Sequence, residues 1–227
     1  MNGYYKWTST TFHLGPSAAE KLFAVSTKGG WFDSSPPISL HSGPSAKDPV
    51  LGKAKGIGKW STMETTVTVP RGMTPANPDR DTHTTVAMKY TSWKDAHYTF
   101  STRVPPVPGS KEPPQLETFE WRSTSGTEAK EISGGSWSSG YKLVRMTGGP
   151  AGEGGARKVR DVGFTSDGRE IVAIIVHNSS WSLSKGMRFA FMGTGLTGLF
   201  GEEWEITALV TGLQLWILDV LTATASS

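Results

Sequence analysis

The segment that most limits the folds open to this chain is its last, EEWEITALVTGLQLWILDVLTATASS, which is apolar on every helical face once past Glu205. A helix that is hydrophobic all round has no side to give to water, so it is buried all round. Glu202, Glu203 and Glu205 stand in its first turn, where carboxylates complement the positive end of the helix dipole. Gly212 costs about 1 kcal/mol of helix propensity relative to alanine, which implies a wall of the fold pressed against the helix at that point. The uncharged run from Ile206 to Leu218, at about 1.5 Å per residue, is shorter than a bilayer core of about 30 Å. The expectation is therefore a buried core helix over 202–221, with no transmembrane span, and such a helix requires a sheet that surrounds it.

The rest of the chain reads as that sheet. Met63, Thr65, Val67 and Val69 alternate with Thr62, Glu64, Thr66 and Thr68, the period of a half-buried strand. Runs of similar character cover 21–27, 38–41, 50–55, 84–90, 96–102, 117–122, 141–146, 159–164, 170–176 and 187–192. No segment between them is long enough for helical crossovers, so the pairing is mostly antiparallel. Gly (27) and Pro (14) suit many short turns, and Asp167-Gly168 between two apolar runs is a hairpin signal. The Pro-rich stretch 104–114 and the Gly-rich stretch 147–157 connect strands rather than domains. At 227 residues the chain fits one domain, 1–227: an all-β dominated, closed barrel of about twelve strands over 20–192 enclosing an apolar C-terminal helix. In FEWR, one set of side chains, Phe119 and Trp121, packs on the helix while Glu120 and Arg122 point away.

Several chemistries are excluded or disfavoured. The absence of cysteine removes disulfides, thiolate metal sites and a cysteine nucleophile. The five histidines, His13, His41, His83, His97 and His177, show no short-range metal spacing, so no metal is expected. There is no serine nucleophile elbow and no P-loop, and Gly193, Gly195 and Gly198 lack the strand-to-helix context of a dinucleotide turn, so no cofactor is expected. A net charge of +3 is weak for a duplex-DNA binder, and FEWR separates its aromatics from its charges, which disfavours a nucleic-acid platform. The beginning MNGYYKWTSTTFHLGPS lacks the basic and apolar regions of a signal peptide, and an intracellular place, cytoplasmic or peripheral to a membrane, is expected.

The order of elements, together with HLGPS (13–17), ISLHSG (38–43), FEWR (119–122), GREIVA (168–173) and WILDV (216–220), resembles the tubby C-terminal-like superfamily. That superfamily includes tubby proteins, phospholipid scramblases and plant LURP-one-related proteins, and the segments are most similar to the tubby-like domains of filamentous fungi. The resemblance covers nearly the whole chain. It implies a closed barrel around the C-terminal helix and a non-enzymatic role. For tubby proteins it further implies phosphoinositide binding by basic side chains on the outer barrel surface. The acidic calcium-loop pattern and cysteine cluster of scramblases are not in the sequence.

Two basic groups are candidate ligand contacts. Lys53, Lys55 and Lys59 with Trp60 place point charges for phosphate beside a membrane-interface aromatic, though a solvated barrel face has the same pattern. Arg157, Lys158 and Arg160 close the Gly-rich loop, as an anion clamp or as a charge-protected edge strand. Anionic lipid or an acidic partner fits these groups. The alternative is a barrel holding a small apolar metabolite, with a cofactor-independent cyclase or isomerase activity drawing on two candidate acid–base residues. Asp219 interrupts the apolar helix, either as a perturbed acid or as an exit residue meeting water or Arg122, and His177 ends the run IVAIIV.

Overall fold

The computed structural model describes residues 1–4, 9–28, 37–57, 64–70, 83–92, 97–106, 109–134, 138–147, 152, 162–178 and 185–225. Twelve strands follow one another in chain order: β1 (Asn2–Tyr4), β2 (Thr11–Gly15), β3 (Phe23–Thr27), β4 (Ile38–His41), β5 (Val50–Ile57), β6 (Glu64–Pro70), β7 (His83–Ser92), β8 (His97–Val104), β9 (Gln115–Thr124), β10 (Gly140–Arg145), β11 (Ile171–His177) and β12 (Lys185–Phe191). Each pairs antiparallel with its neighbours in sequence, and β1 pairs with β12, so the sheet closes on itself. At the closure the Met1 ammonium donates to the Phe189 carbonyl at 2.8 Å and the Phe189 amide donates to the Met1 carbonyl at 2.8 Å. A closed sheet has no open edge left to recruit another strand.

Helix α2 (Glu202–Ala225) fills the barrel. Its Trp204, Ala208, Leu213, Leu215, Trp216 and Ile217 are buried among the inward residues of the strands, including Phe12, Leu40, Val67, Phe119 and Phe189. The alternation in the strands explains this core directly, since Val67 and Val69 are buried while Thr66 and Thr68 between them are not. By length and composition α2 could cross a bilayer, which the uncharged run alone could not, but its apolar surface is spent on the barrel.

Wall and helix meet closely at two glycines. A Cβ at Gly212 would lie 3.2 Å from Trp121 Cζ2 and 3.5 Å from Phe189 Cε2, the wall contact that a glycine in mid-helix implied. A Cβ at Gly52 on β5 would lie 2.8 Å from Ile206 Cγ2. Beside the first contact, Trp121 Nε1 donates to Thr211 Oγ1 at 2.9 Å, which satisfies the indole inside an apolar lumen. Phe119 likewise turns inward, with its ring 5.4 Å from Phe200 and 5.5 Å from Trp204.

The structure corrects the expected parse in three places. β1 and β2 extend the barrel to the N-terminus, before position 20; both are short, β2 places Phe12 and Leu14 in the core, and their pairing to β12 and β3 is what completes the circle. The run 159–164 is not a strand where it is described. Gly163 adopts a φ of +85°, and Phe164 makes only a single bridge to Glu170 across the turn that contains Asp167-Gly168. A short helix, α1 (Thr127–Ser133), covers the outside of β11, burying Ala129 against Ile174 and Val176. Cover on both faces is the reason β11 is apolar without alternation.

Gly212→Val is expected to destabilise the protein by about 1–3 kcal/mol, because the added side chain meets the Trp121 ring and outweighs the gain in helix propensity. The urea midpoint measures this, and a midpoint at or above that of the parent chain would show that the wall yields.

Candidate functional site

Between β3 and β6 no described element covers the outer face of the barrel, and its side chains are polar by the same alternation that makes the inner ones apolar. Val25, Ile38, Leu40, Ala54 and Val67 point inward. Their neighbours form a row across the strands: Ser26 lies opposite Ser39, Ser39 opposite Lys53, and Lys53 opposite Thr68, with Lys55 opposite Thr66 one step along. These residues, with Lys28 just beyond β3, line a groove of about 690 Å³. Lys53 and Lys55 are exposed, and no carboxylate is among the described residues that line the groove. Of the first basic group the structure thus brings Lys53 and Lys55 together on one face. Lys59, Trp60, Arg157, Lys158 and Arg160 lie outside the described residues.

One end of the row is tied to a histidine. Ser26 Oγ is 2.8 Å from His41 Nε2, and His41 Nδ1 is 2.9 Å from the Asp48 carbonyl oxygen. His41 is 5% exposed, so its ring sits behind the groove and Ser26 in front of it. Lys28, Ser26 and this pair were missed in the sequence. The alternation of Ser39 and His41 with Ile38 and Leu40 was a legible sign of an outward face, but the contact of His41 with Ser26 depends on the pairing of β3 with β4, which no single segment carries.

A second polar cluster lies where α2 leaves the barrel, and it unites the two acid–base candidates. Asp219 accepts a hydrogen bond from the Tyr141 hydroxyl at 2.8 Å, and its other oxygen is 3.1 Å from His177 Nε2. Asp219 therefore meets Tyr141 and His177 rather than Arg122. That guanidinium is taken by Glu120 at 2.6 Å and by Asp167 at 2.9 Å on the outside of the barrel, where Asp167 is held down to about 2. Burial opposes this shift of the Asp167 carboxyl, and the hydrogen bonds from Arg122 and Thr165 outweigh it. His177 is partly open to solvent, since the strand that buries its predecessors ends there.

Tyr98 packs beside this cluster, its ring edge-on to that of Tyr141 at 6.1 Å and tilted against that of Tyr90 at 5.2 Å. Burial, then the negative charge of Asp219, then Tyr90 push Tyr98 up to about 12, and burial and Asp219 push Tyr141 higher still. Among the described residues there is no group of three or more acidic or histidine side chains placed to hold a metal ion. Compared with protein-family models, with curated proteins and with solved structures, the chain matches none.

The tyrosine shift has a sign that can be checked. A phenol whose folded value is raised contributes stability that is complete below pH 10 and is lost as the pH rises towards about 12. In an ultraviolet titration of the folded protein, Asp219→Asn is expected to move the highest-ionising tyrosines downward while burial keeps them above 10. An unchanged curve would show that the Asp219 charge is not felt.

Proposed function

We propose that the chain is a tubby-like barrel that binds an anionic ligand, the phosphate-bearing headgroup of a membrane lipid, in the groove between β3 and β6. The observation that carries this reading is the grouping of Lys28, Lys53 and Lys55 with the hydroxyl side chains of Ser26, Ser39, Thr66 and Thr68, without a carboxylate among the described lining residues. Lysines supply point charges that attract phosphate from any direction, and hydroxyls supply directional hydrogen bonds that select its position. The resemblance of the sequence segments to tubby-like domains supports the same ligand class.

Magnitudes favour a reversible contact. Each lysine near an anionic leaflet is worth about 1 kcal/mol, so the three give adhesion that salt weakens within a Debye length of about 8 Å at physiological strength. A peripheral place at a membrane follows from that, and the enclosed helix α2 is not needed for it. The hydroxyl row is what would make the groove choose among headgroups of equal charge.

Co-sedimentation with neutral, phosphatidylserine and phosphoinositide vesicles at low and physiological salt tests the reading. The parent chain is expected to bind acidic vesicles, with headgroup selectivity that survives salt. Replacing Lys53 and Lys55 together by glutamine is expected to weaken binding about 30-fold, from about 1 kcal/mol for each charge. Both side chains are exposed, so the barrel is unaffected. Equal binding to neutral vesicles, or unchanged binding by the double variant, would remove the groove from consideration.

A further inference from the structure

We propose that Ser26 and His41 are a nucleophile and its general base, and that the groove carries out acyl transfer from an anionic ester to Ser26 and then to water. The choice of an anionic ester rests on the reading of the lysine-lined groove as an anion site; the nucleophile rests on separate geometry.

The proton positions follow from the partners. The Asp48 carbonyl oxygen can only accept, so the proton of His41 is on Nδ1, 2.9 Å away. In the neutral ring Nε2 then offers a lone pair, and Ser26, 2.8 Å away, donates its hydroxyl proton to it. A hydroxyl bonded to an imidazole lone pair, with the far side of the ring fixed by a third group, is the arrangement that activates a serine. A histidine serving only as a staple could place both nitrogens on backbone groups. Here one nitrogen is on the backbone and the other is on a hydroxyl that lines the groove.

The fold builds this pair by local means. The register between β4 and β5 slips after Leu40, so that His41 lies opposite Val50, and a bulge of this kind re-aims the side chain that follows it. The chain then returns through a turn in which the Ser45 amide donates to Asp48 Oδ2 at 2.8 Å and the Asp48 amide donates to the Ser45 carbonyl at 3.0 Å. Ser42 donates to the Pro49 carbonyl at 2.9 Å, which closes the turn and presents the Asp48 carbonyl to the imidazole. The base is therefore shielded and oriented, and the nucleophile faces the ligand.

The reaction balances with water as the only co-reactant. Ser26 Oγ attacks the ester carbonyl carbon as its proton passes to His41 Nε2. The ester C–O bond then breaks, and the alcohol leaves with that proton. Water gives a proton to His41 and attacks the acyl-serine; the carboxylic acid leaves and Ser26 recovers its proton. The lysines hold the anionic part of the ester. A carbonyl dipole stabilises the imidazolium less than a carboxylate does, so turnover is slow and covalent capture is the more sensitive readout.

The test is incubation of the full-length protein with an alkyl fluorophosphonate, followed by intact mass and peptide mapping, alongside hydrolysis of p-nitrophenyl acetate and the anionic p-nitrophenyl hemisuccinate. One adduct on Ser26 is expected, absent in Ser26→Ala, with capture at least about 100-fold slower in His41→Gln. Because His41 is buried, its variant counts only if circular dichroism shows the parent barrel; Ser26→Ala removes one oxygen and keeps the test decisive. Lys53→Gln with Lys55→Gln is expected to erase a preference of tenfold or so for the anionic over the neutral ester. No adduct on Ser26 in the folded parent chain, equal capture by folded His41→Gln, or hydrolysis undiminished by Ser26→Ala overturns the proposal. Vesicle binding without capture would sink this proposal alone, and capture without vesicle binding would sink only the lipid reading.

Discussion

The structure depends on enclosing a helix that has no polar face. Burying a large apolar side chain is worth about 1.5–3 kcal/mol, and α2 has buried residues all round its circumference, so no one-sided packing could recover that energy. Only a sheet that closes on itself presents apolar side chains from every direction. The pairing of β1 with β12 is thus the condition on which the core rests, although β1 is three residues long and contributes little packing of its own. Its backbone hydrogen bonds, including those of Met1, close the wall.

Filling the lumen has a consequence for function. Among the described residues α2 packs against the inward side chains of the strands, and the groove they form lies on the outer face. The outer face is not uniform. Over β11 it is covered by α1 and apolar, and over β9 it is occupied by the paired charges of Glu120, Arg122 and Asp167. Over β3 to β6 the described residues instead leave lysines facing out without a carboxylate in the groove, and a hydroxyl held by a buried imidazole. At the end of α2 the carboxylate of Asp219 is absorbed by Tyr141 and His177. Asp219 is partly open to solvent, so these partners and water together satisfy its charge where the helix reaches the barrel mouth.

Much of this was legible because it is periodic. All-round apolarity marked α2, alternation marked the faces of β3 to β9, and a mid-helix glycine marked the contact with Trp121 and Phe189. What escaped the sequence is aperiodic. β1 is three residues long, too short for alternation to be read, α1 packs on the outward residues of β11, and the described end of 159–164 turns at Gly163. His177 and Asp219 stood out singly as titratable groups at the edge of apolar runs, but their meeting across 42 residues depends on where α2 ends relative to β11.

By itself, then, the sequence determined the class of fold and the direction that residues of the alternating strands face, because both follow from local periodicity and from the need to bury α2. It also determined that Lys53 and Lys55 share a face. Tertiary structure alone decided which residues from different strands stand side by side: Ser26 with Ser39 and Lys53 across the sheet, His41 under the returning turn, Asp219 between Tyr141 and His177. The physical reason is that strand registers are set by the closure of the whole barrel, in which every strand's position depends on its two neighbours, so that even a locally built turn such as Ser42–Pro49 meets its partner strand only through that register.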